Sequence, residues 1–304
     1  MSHSDIPGFL ELSKADKFFR RAERLVERLE NLVPKPPSGS AARDGAVAWR
    51  WRRTAGGGHL EAITRFNRIR LHDLLHIERQ KETLVRNTRQ FLAGLPANNA
   101  LLWGPRGTGK SSLVKALLND YASAGLRLVE VDRLDLVHLP DIIDCLDGDE
   151  RRYVIYCDDL SFDDNDATYR ALKTVLDGSV LDTPDNIIIY ATSNRRHLLP
   201  EHRDDNLRAK VIDGELHHGE AVEEKISLSE RFGLWLSFHP LNQERYLEIA
   251  AHWLHAHDAP ADDEARAAAL QWALLHGSRS GRAAFQFARD WAGRRALEKR
   301  DDLA

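Results

Sequence analysis

Cysteine is scarce. The 304-residue chain has two, Cys145 and Cys157, and neither falls in a metal-type spacing. That excludes a disulfide framework and suits a reducing compartment, so a cytoplasmic location is expected. No run approaches the roughly 18 apolar residues that a membrane-spanning helix needs. The opening stretch, MSHSDIPGFLELSKADKFF, is charged early and has no long apolar segment, so it does not read as a signal peptide. A strong charge of one sign is also missing. The formal net charge is −4, which leaves no global basic field to draw the chain to nucleic acid or anionic lipid. Neither nucleic acid nor membrane is expected as a partner. There is no internal repeat and no low-complexity tract.

What is present divides into three blocks. Residues 1–64 read as an N-terminal helical accessory segment with a flexible linker. Phe18, Phe19, Ala22, Leu25, Val26, Leu29, Leu32 and Val33 recur at helical spacing, and the helix should stop before Pro34. The run PKPPSGSAARDG is the linker, and AVAWRWRR alternates like a short strand with its tryptophans inward and its arginines in water. Residues 65–240 alternate apolar runs of strand length (98–103, 127–131, 153–157, 186–192 and 234–238) with helical patterns (111–124 and 167–180). Such alternation means a parallel sheet covered on both faces. Residues 241–304 are Ala-rich and helical, with helices predicted near 242–257, 262–276 and 281–298.

The chemistry sits in the middle block. Gly104, Pro105, Arg106, Gly107, Thr108, Gly109, Lys110 and Ser111 match G-x-x-x-x-G-K-[ST] in full, and Ser112 belongs to the same phosphate-binding set. Such a loop curls tightly so that successive N–H groups point at a phosphate, and glycines allow backbone angles and close approach that a Cβ blocks. The helix that follows turns its positive end to the anion. Lys110 should reach the β- and γ-phosphates, and the Ser111 hydroxyl should ligate Mg²⁺. The context is right, because the motif follows the strand LLW and opens the helix SSLVKALLNDY. Downstream, Tyr153-Val-Ile-Tyr-Cys-Asp158-Asp159 is an apolar strand ending in two acids. Ligands of open α/β sheets bind at strand C-termini. Asp158 is therefore expected to hold Mg²⁺, and Asp159 to orient or deprotonate a water.

Taken with the stretches LHDLLHIERQKETLVRNTRQFLAGLPANNALLWGPRGTGKSSLVKAL, YCDDLSFDDND, DNIIIYATSNRRHLLPE, SERFGLWLSF and GSRSGRAAFQFARDW, the chain resembles the AAA+ ATPases over roughly residues 65–300. It is most similar to an uncharacterised bacterial family of single-module AAA+ ATP-binding proteins. The resemblance implies a P-loop NTPase fold with a parallel five-stranded sheet, order 5-1-4-3-2, and a C-terminal α-helical lid. It implies that Leu74, Leu75 and Ile77 pack against adenine. It also implies that Asn194 is the sensor-1 polar residue, Arg231 an arginine finger acting on a neighbouring subunit's ATP, and Arg282 the lid's sensor-2 arginine. ATP and Mg²⁺ are the implied ligands, with a nucleotide-dependent homo-oligomer and an unnamed client. The chain departs from the family at two positions. Asp159 stands where the second acid is usually Glu, which leaves slow hydrolysis open, and His76 stands where the superfamily often has Gly.

Other readings remain. Asp159 suits a non-hydrolysing ATP-dependent switch, adaptor or oligomerisation module. A small-molecule kinase would need an acceptor pocket and no lid arginine. A DNA loader would use Trp49 and Arg50. His252, His255 and His257 lack spacing for a metal set and read as surface histidines. The polar stretch 201–230 reads equally as a surface loop or as a segment that engages a partner.

Overall fold

A computed structural model describes residues 45–54, 57–65, 68–162, 166–177, 184–196, 198, 210–212, 215–217 and 228–301. The helix predicted in the first block and most of the stretch 201–230 lie outside these residues. Ala46–Trp51 and Leu60–Ala304 belong to one compact unit. A second, smaller unit includes Arg52–His59, where the Thr54 hydroxyl donates to the Gly57 carbonyl at 3.0 Å.

The main sheet is built from β1 (Ala48–Thr54), β2 (Gly57–Ala62), β3 (Ala100–Trp103), β4 (Leu126–Glu130), β5 (Arg152–Cys157), β6 (Ile187–Ser193) and β9 (Leu234–Ser237). Its spatial order is β2-β1-β4-β5-β6-β3-β9, and every pairing from β1 across to β9 is parallel. The expected five-stranded sheet is thus corrected to seven strands. The two extra strands come from AWRWRRT and GGHLEA, in the segment read as accessory. Trp49 and Trp51 are each 1% exposed. Burying two indoles against a sheet face removes enough apolar area from water to hold β1 beside β4. Between them Arg50 points to the opposite face and pairs with Glu130 at 2.6 Å. A separate two-stranded antiparallel piece joins β7 (Lys210–Ile212) to β8 (Glu215–His217).

Helices α1 (Glu78–Leu92) and α2 (Lys110–Tyr121) cover one sheet face, and α3 (Leu139–Leu146) and α4 (Ala167–Leu176) cover the other. The near-continuous apolar runs of β5 and β6 follow from this double covering. A buried polar set ties α1 to the sheet. Asn87 donates to the Tyr190 hydroxyl at 3.1 Å, and the Thr88 and Tyr190 hydroxyls lie 2.9 Å apart.

Three helices follow the sheet: α5 (Gln243–Ala256), α6 (Asp263–Leu275) and α7 (Gly281–Asp301). Their starts are legible as caps. Asn242 accepts from the Arg245 N–H at 2.9 Å, Asp262 from Ala265 at 2.8 Å, and Ser280 from Ala283 at 3.2 Å. Gly277, at φ 60°, closes α6 in the left-handed conformation. The three helices share their own core of small and aromatic residues, in which the Tyr246 hydroxyl donates to the Ala269 carbonyl at 3.0 Å.

Candidate functional site

The loop after β3 turns at three glycines with positive φ: Gly104 at 141°, Gly107 at 77° and Gly109 at 101°. Gly104 is the most constrained of them. A Cβ there would lie 2.2 Å from the Phe238 carbonyl oxygen, so the backbone of the strand-end segment after β9 and that of the loop touch directly. Gly109 serves as the N-cap of α2 without a side-chain cap, which leaves the helix's first N–H groups open to an anion. Lys110 is 6% exposed. Its ammonium donates to the carbonyls of Gly104 (2.6 Å) and Pro105 (2.8 Å) and to Asn194 Oδ1 (3.1 Å). Burial lowers its pKa from the ordinary lysine value, against the opposing charges of Asp159 and Asp158.

The two acids at the end of β5 have different surroundings. Asp158 Oδ1 accepts from Ser111 Oγ at 2.7 Å and from Thr192 Oγ1 at 2.6 Å. Burial pushes the Asp158 carboxyl up, but these hydrogen bonds outweigh it and hold the group below the usual carboxylate value. Asp159 has a φ of 53°, a left-handed conformation that costs a non-glycine residue of order 1 kcal/mol or more. Its backbone N–H donates to Thr192 Oγ1 at 2.9 Å. Its carboxylate accepts from Asn194 Nδ2 and faces Arg106 at 3.4 Å. Both partners of that ion pair are more than half exposed, 76% and 53%, so the pair is weak and easily exchanged. Ser111 and Asp158 form an oxygen-only donor set beside the loop, which suits a hard cation such as Mg²⁺.

Helix α7 closes onto the loop. The Gly281 N–H donates to the Gly107 carbonyl at 2.9 Å. A cavity of about 690 Å³ lies between the sheet end and helices α5 and α7. Its polar end is lined by Lys110, Ser111, Ser112, Asp158, Asp159, Asn194 and Arg282, and its apolar end by Leu74, Leu75, Ile77, Ile249, Trp253 and Phe285. Trp253 and Phe285 meet edge to face with ring centroids 4.9 Å apart. Two histidine–carboxylate contacts join α5 to the segment before α1: His252 to Asp73 at 3.2 Å and His76 to Glu248 at 2.9 Å. His76 has φ 64°, a left-handed conformation that favours glycine. Arg231 does not line the cavity. It pairs with Asp177 beyond the end of α4.

A family match covers residues 44–295. The chain belongs to the family described as "Protein of unknown function (DUF815)". The chain is 35% identical over 82 residues to the replication factor C large subunit of Ignicoccus hospitalis, a match covering 26% of this chain and 17% of that protein. It is 33% identical over 81 residues to the Staphylothermus marinus counterpart, covering 26% and 18%. It thus spans less than a fifth of these relatives. Among solved structures, a point mutant of Thermotoga maritima RuvB superposes with a TM-score of 0.50 at 18% identity, covering 73% of this chain and 63% of that one. AMPPCP-bound DnaA from Aquifex aeolicus gives 0.48 at 16% identity, covering 79% and 72%. At such identities the RuvB likeness shows the fold alone. The expectation that nucleic acid is not a partner loses its support here. A whole-chain charge of −4 says nothing about a local basic surface. No helix among the described residues is long and apolar enough to cross a membrane.

Of the residues singled out from the sequence, loop residues 106–112, both acids, Asn194, Arg282, Leu74, Leu75 and Ile77 line this family member's cavity, whereas Gly104, Pro105 and Arg231 do not. Sequence reasoning missed Thr192, Arg68, Lys115 and the apolar residues of the C-terminal helices. A signal existed for some of these. Ile249 and Trp253 are one turn apart on α5, and Phe285 follows Arg282 by one turn on α7. His252, read as a surface histidine, is turned to Asp73. A Cβ on Gly107 would lie 2.7 Å from the Ser280 side chain. Gly107→Ala is therefore expected to push α7 off the loop and to weaken nucleotide binding by about tenfold, the cost of one strained left-handed residue with a clash. Calorimetric titration with ATP measures it; unchanged affinity would mean that the helix–loop contact is irrelevant to binding.

Proposed function

We propose that the chain binds ATP with Mg²⁺ in this cavity and hydrolyses it, as an AAA+ ATPase that uses the cycle between ATP and ADP to change shape on a client. The observation that carries this reading is the position of the Lys110 ammonium, shared between the loop carbonyls and Asn194, beside the Ser111–Asp158 pair. Residues 65–240 act as the nucleotide-binding core, 241–304 as the lid, and 1–64 as an accessory segment. The N–H groups of residues 107–112 cradle the phosphates. Leu74, Leu75 and Ile77 take the base, together with Trp253 of the lid. Ser111 and Asp158 would hold Mg²⁺, which when bound shields the negative charge of the β- and γ-phosphates.

In the reaction, a water oxygen bonds to the γ-phosphorus as the bond to the β–γ bridging oxygen breaks. The water's proton passes to the Asp159 carboxylate, which Asn194 orients. Lys110 and Arg282 meet the charge on the phosphates from the core and the lid. Arg231 meets it from a neighbouring subunit, exchanging Asp177 for phosphate on assembly. A second reading, the non-hydrolysing switch, is favoured by Asp159 itself. The carboxylate of this short acid already has Arg106 and Asn194 as partners, which compete with a water for it.

Phosphate release measured over a range of protein concentrations separates the two readings. For the ATPase, turnover per chain rises with concentration, and Arg231→Ala keeps it at the dilute-limit value. Tight ATP binding with no phosphate released at any concentration selects the switch. Absence of ATP binding overturns both.

A further inference from the structure

Two tyrosines face each other on neighbouring strands. Tyr156 of β5 is in register with Tyr190 of β6, and both side chains lie on the sheet face that α2 covers. Their hydroxyls have different fates. That of Tyr190 is held by Asn87 and Thr88 at 3.1 and 2.9 Å. That of Tyr156 is buried, on a residue only 1% exposed, and makes no hydrogen bond of acceptable geometry among the described residues. A buried hydroxyl without a partner costs on the order of 1–3 kcal/mol, and a phenylalanine would avoid that cost. Such a group calls for an explanation in terms of what it meets.

Its surroundings supply one. Strand alternation puts Tyr156 and Asp158 on the same side of β5, and the groups acting on the phenol are Asp158, Ser111 and Thr192. These are the residues that form the oxygen cluster, with Ser111 and Thr192 both donating to Asp158 Oδ1. Tyr156 does not line the cavity, so it sits behind the cluster and not in front of it. A phenol keeps its proton at neutral pH, so the hydroxyl is a standing donor.

We infer that Tyr156 is a positioning residue for the metal side of the site: its hydroxyl lies behind Ser111 and Asp158 to donate to the Asp158 carboxylate once Mg²⁺–ATP draws these oxygens into a shared shell. The inference rests on the ATP–Mg²⁺ reading above. It assigns Tyr156 no contact with nucleotide or metal. Hydrogen bonds to a ligating carboxylate fix its orientation and tune its grip on the ion, and their loss typically costs ten- to a hundredfold in metal affinity.

The test is Tyr156→Phe, which removes one oxygen and leaves the ring packing in place. ATP binding to the full chain is titrated calorimetrically twice, in excess EDTA and in Mg²⁺, and the Mg²⁺ concentration for half-maximal enhancement is recorded. The expected result is a melting temperature at or above that of the parent, unchanged affinity in EDTA, and a Mg²⁺ requirement raised about tenfold. An equal Mg²⁺ requirement in parent and variant overturns the inference, as does an equal loss in EDTA and in Mg²⁺, which marks a merely structural role. If the parent binds no ATP in either condition, it is the ATP reading that fails. If the variant melts lower, Tyr156→Trp and Tyr156→Leu distinguish packing from hydroxyl: a Mg²⁺ requirement that follows melting temperature across the three overturns the inference.

Discussion

Lys110→Ala is expected to weaken ATP binding by about a hundredfold or more, roughly 2.7 kcal/mol. The ammonium is 6% exposed and has three oxygen partners at 2.6, 2.8 and 3.1 Å. In the proposed complex it exchanges neutral carbonyls for phosphate oxygens. A charge-assisted hydrogen bond in a water-poor site is worth far more than the same bond in solvent. The substitution also leaves the carbonyls of Gly104 and Pro105 without their donor, so a modest fall in melting temperature should accompany it. The two effects separate by titration at a temperature where the variant is fully folded. Parent-like affinity in that folded variant would mean that the cavity does not take the phosphates at this loop.

Asp159→Asn should leave ATP binding within about threefold of the parent and lower turnover by at least about a hundredfold. The amide is isosteric, keeps an oxygen for Asn194 and cannot take a proton. Phosphate release under saturating ATP reads the turnover, and calorimetry reads the binding. The shape of the site adds a sharper comparison. Asp159 is one methylene shorter than the glutamate common in AAA+ relatives, and its positive φ of 53° swings its carboxylate toward Asn194 and Arg106. If reach limits the parent, Asp159→Glu should turn over faster. Undiminished turnover in Asp159→Asn would move the proton acceptor elsewhere, whereas parent and variant that are equally silent would select the switch.

The parts of the molecule that could be read from the chain are those whose physics is local. Gly104, Gly107, Gly109, Lys110 and Ser111 fall at fixed spacing within one short stretch because one tight turn needs them in that order, and the turn appears with left-handed angles at its glycines. Asp158 could be placed because an apolar strand must end somewhere, and acids at that end face the ligand side of a parallel sheet. The three C-terminal helices were legible as helical patterns near 242–257, 262–276 and 281–298, and Asn242, Asp262 and Ser280 cap their starts. The sheet was read too small. Nothing local distinguishes an accessory hairpin from an edge strand, and AWRWRRT joins the sheet because Trp49 and Trp51 find an apolar face contributed by residues far along the chain.

The remaining features needed the tertiary structure, for one reason: they are meetings between distant segments. His76 adopts φ 64° and meets Glu248 only because α5 packs over it. Trp253 and Phe285 form the apolar wall of the cavity after two helices, each periodic in its own right, are brought edge to edge. The hydroxyl of Tyr156 gains its meaning from Ser111 and Thr192, which arrive from a helix and a neighbouring strand. By itself the sequence determined a phosphate-gripping turn, an acidic strand end and an alternating α/β order, since each depends on backbone angles and periodicity within a few residues. Packing alone decided which strands border the sheet, which aromatic rings close the cavity and which oxygens surround Asp158, since those depend on buried contacts between segments with no local signature of one another.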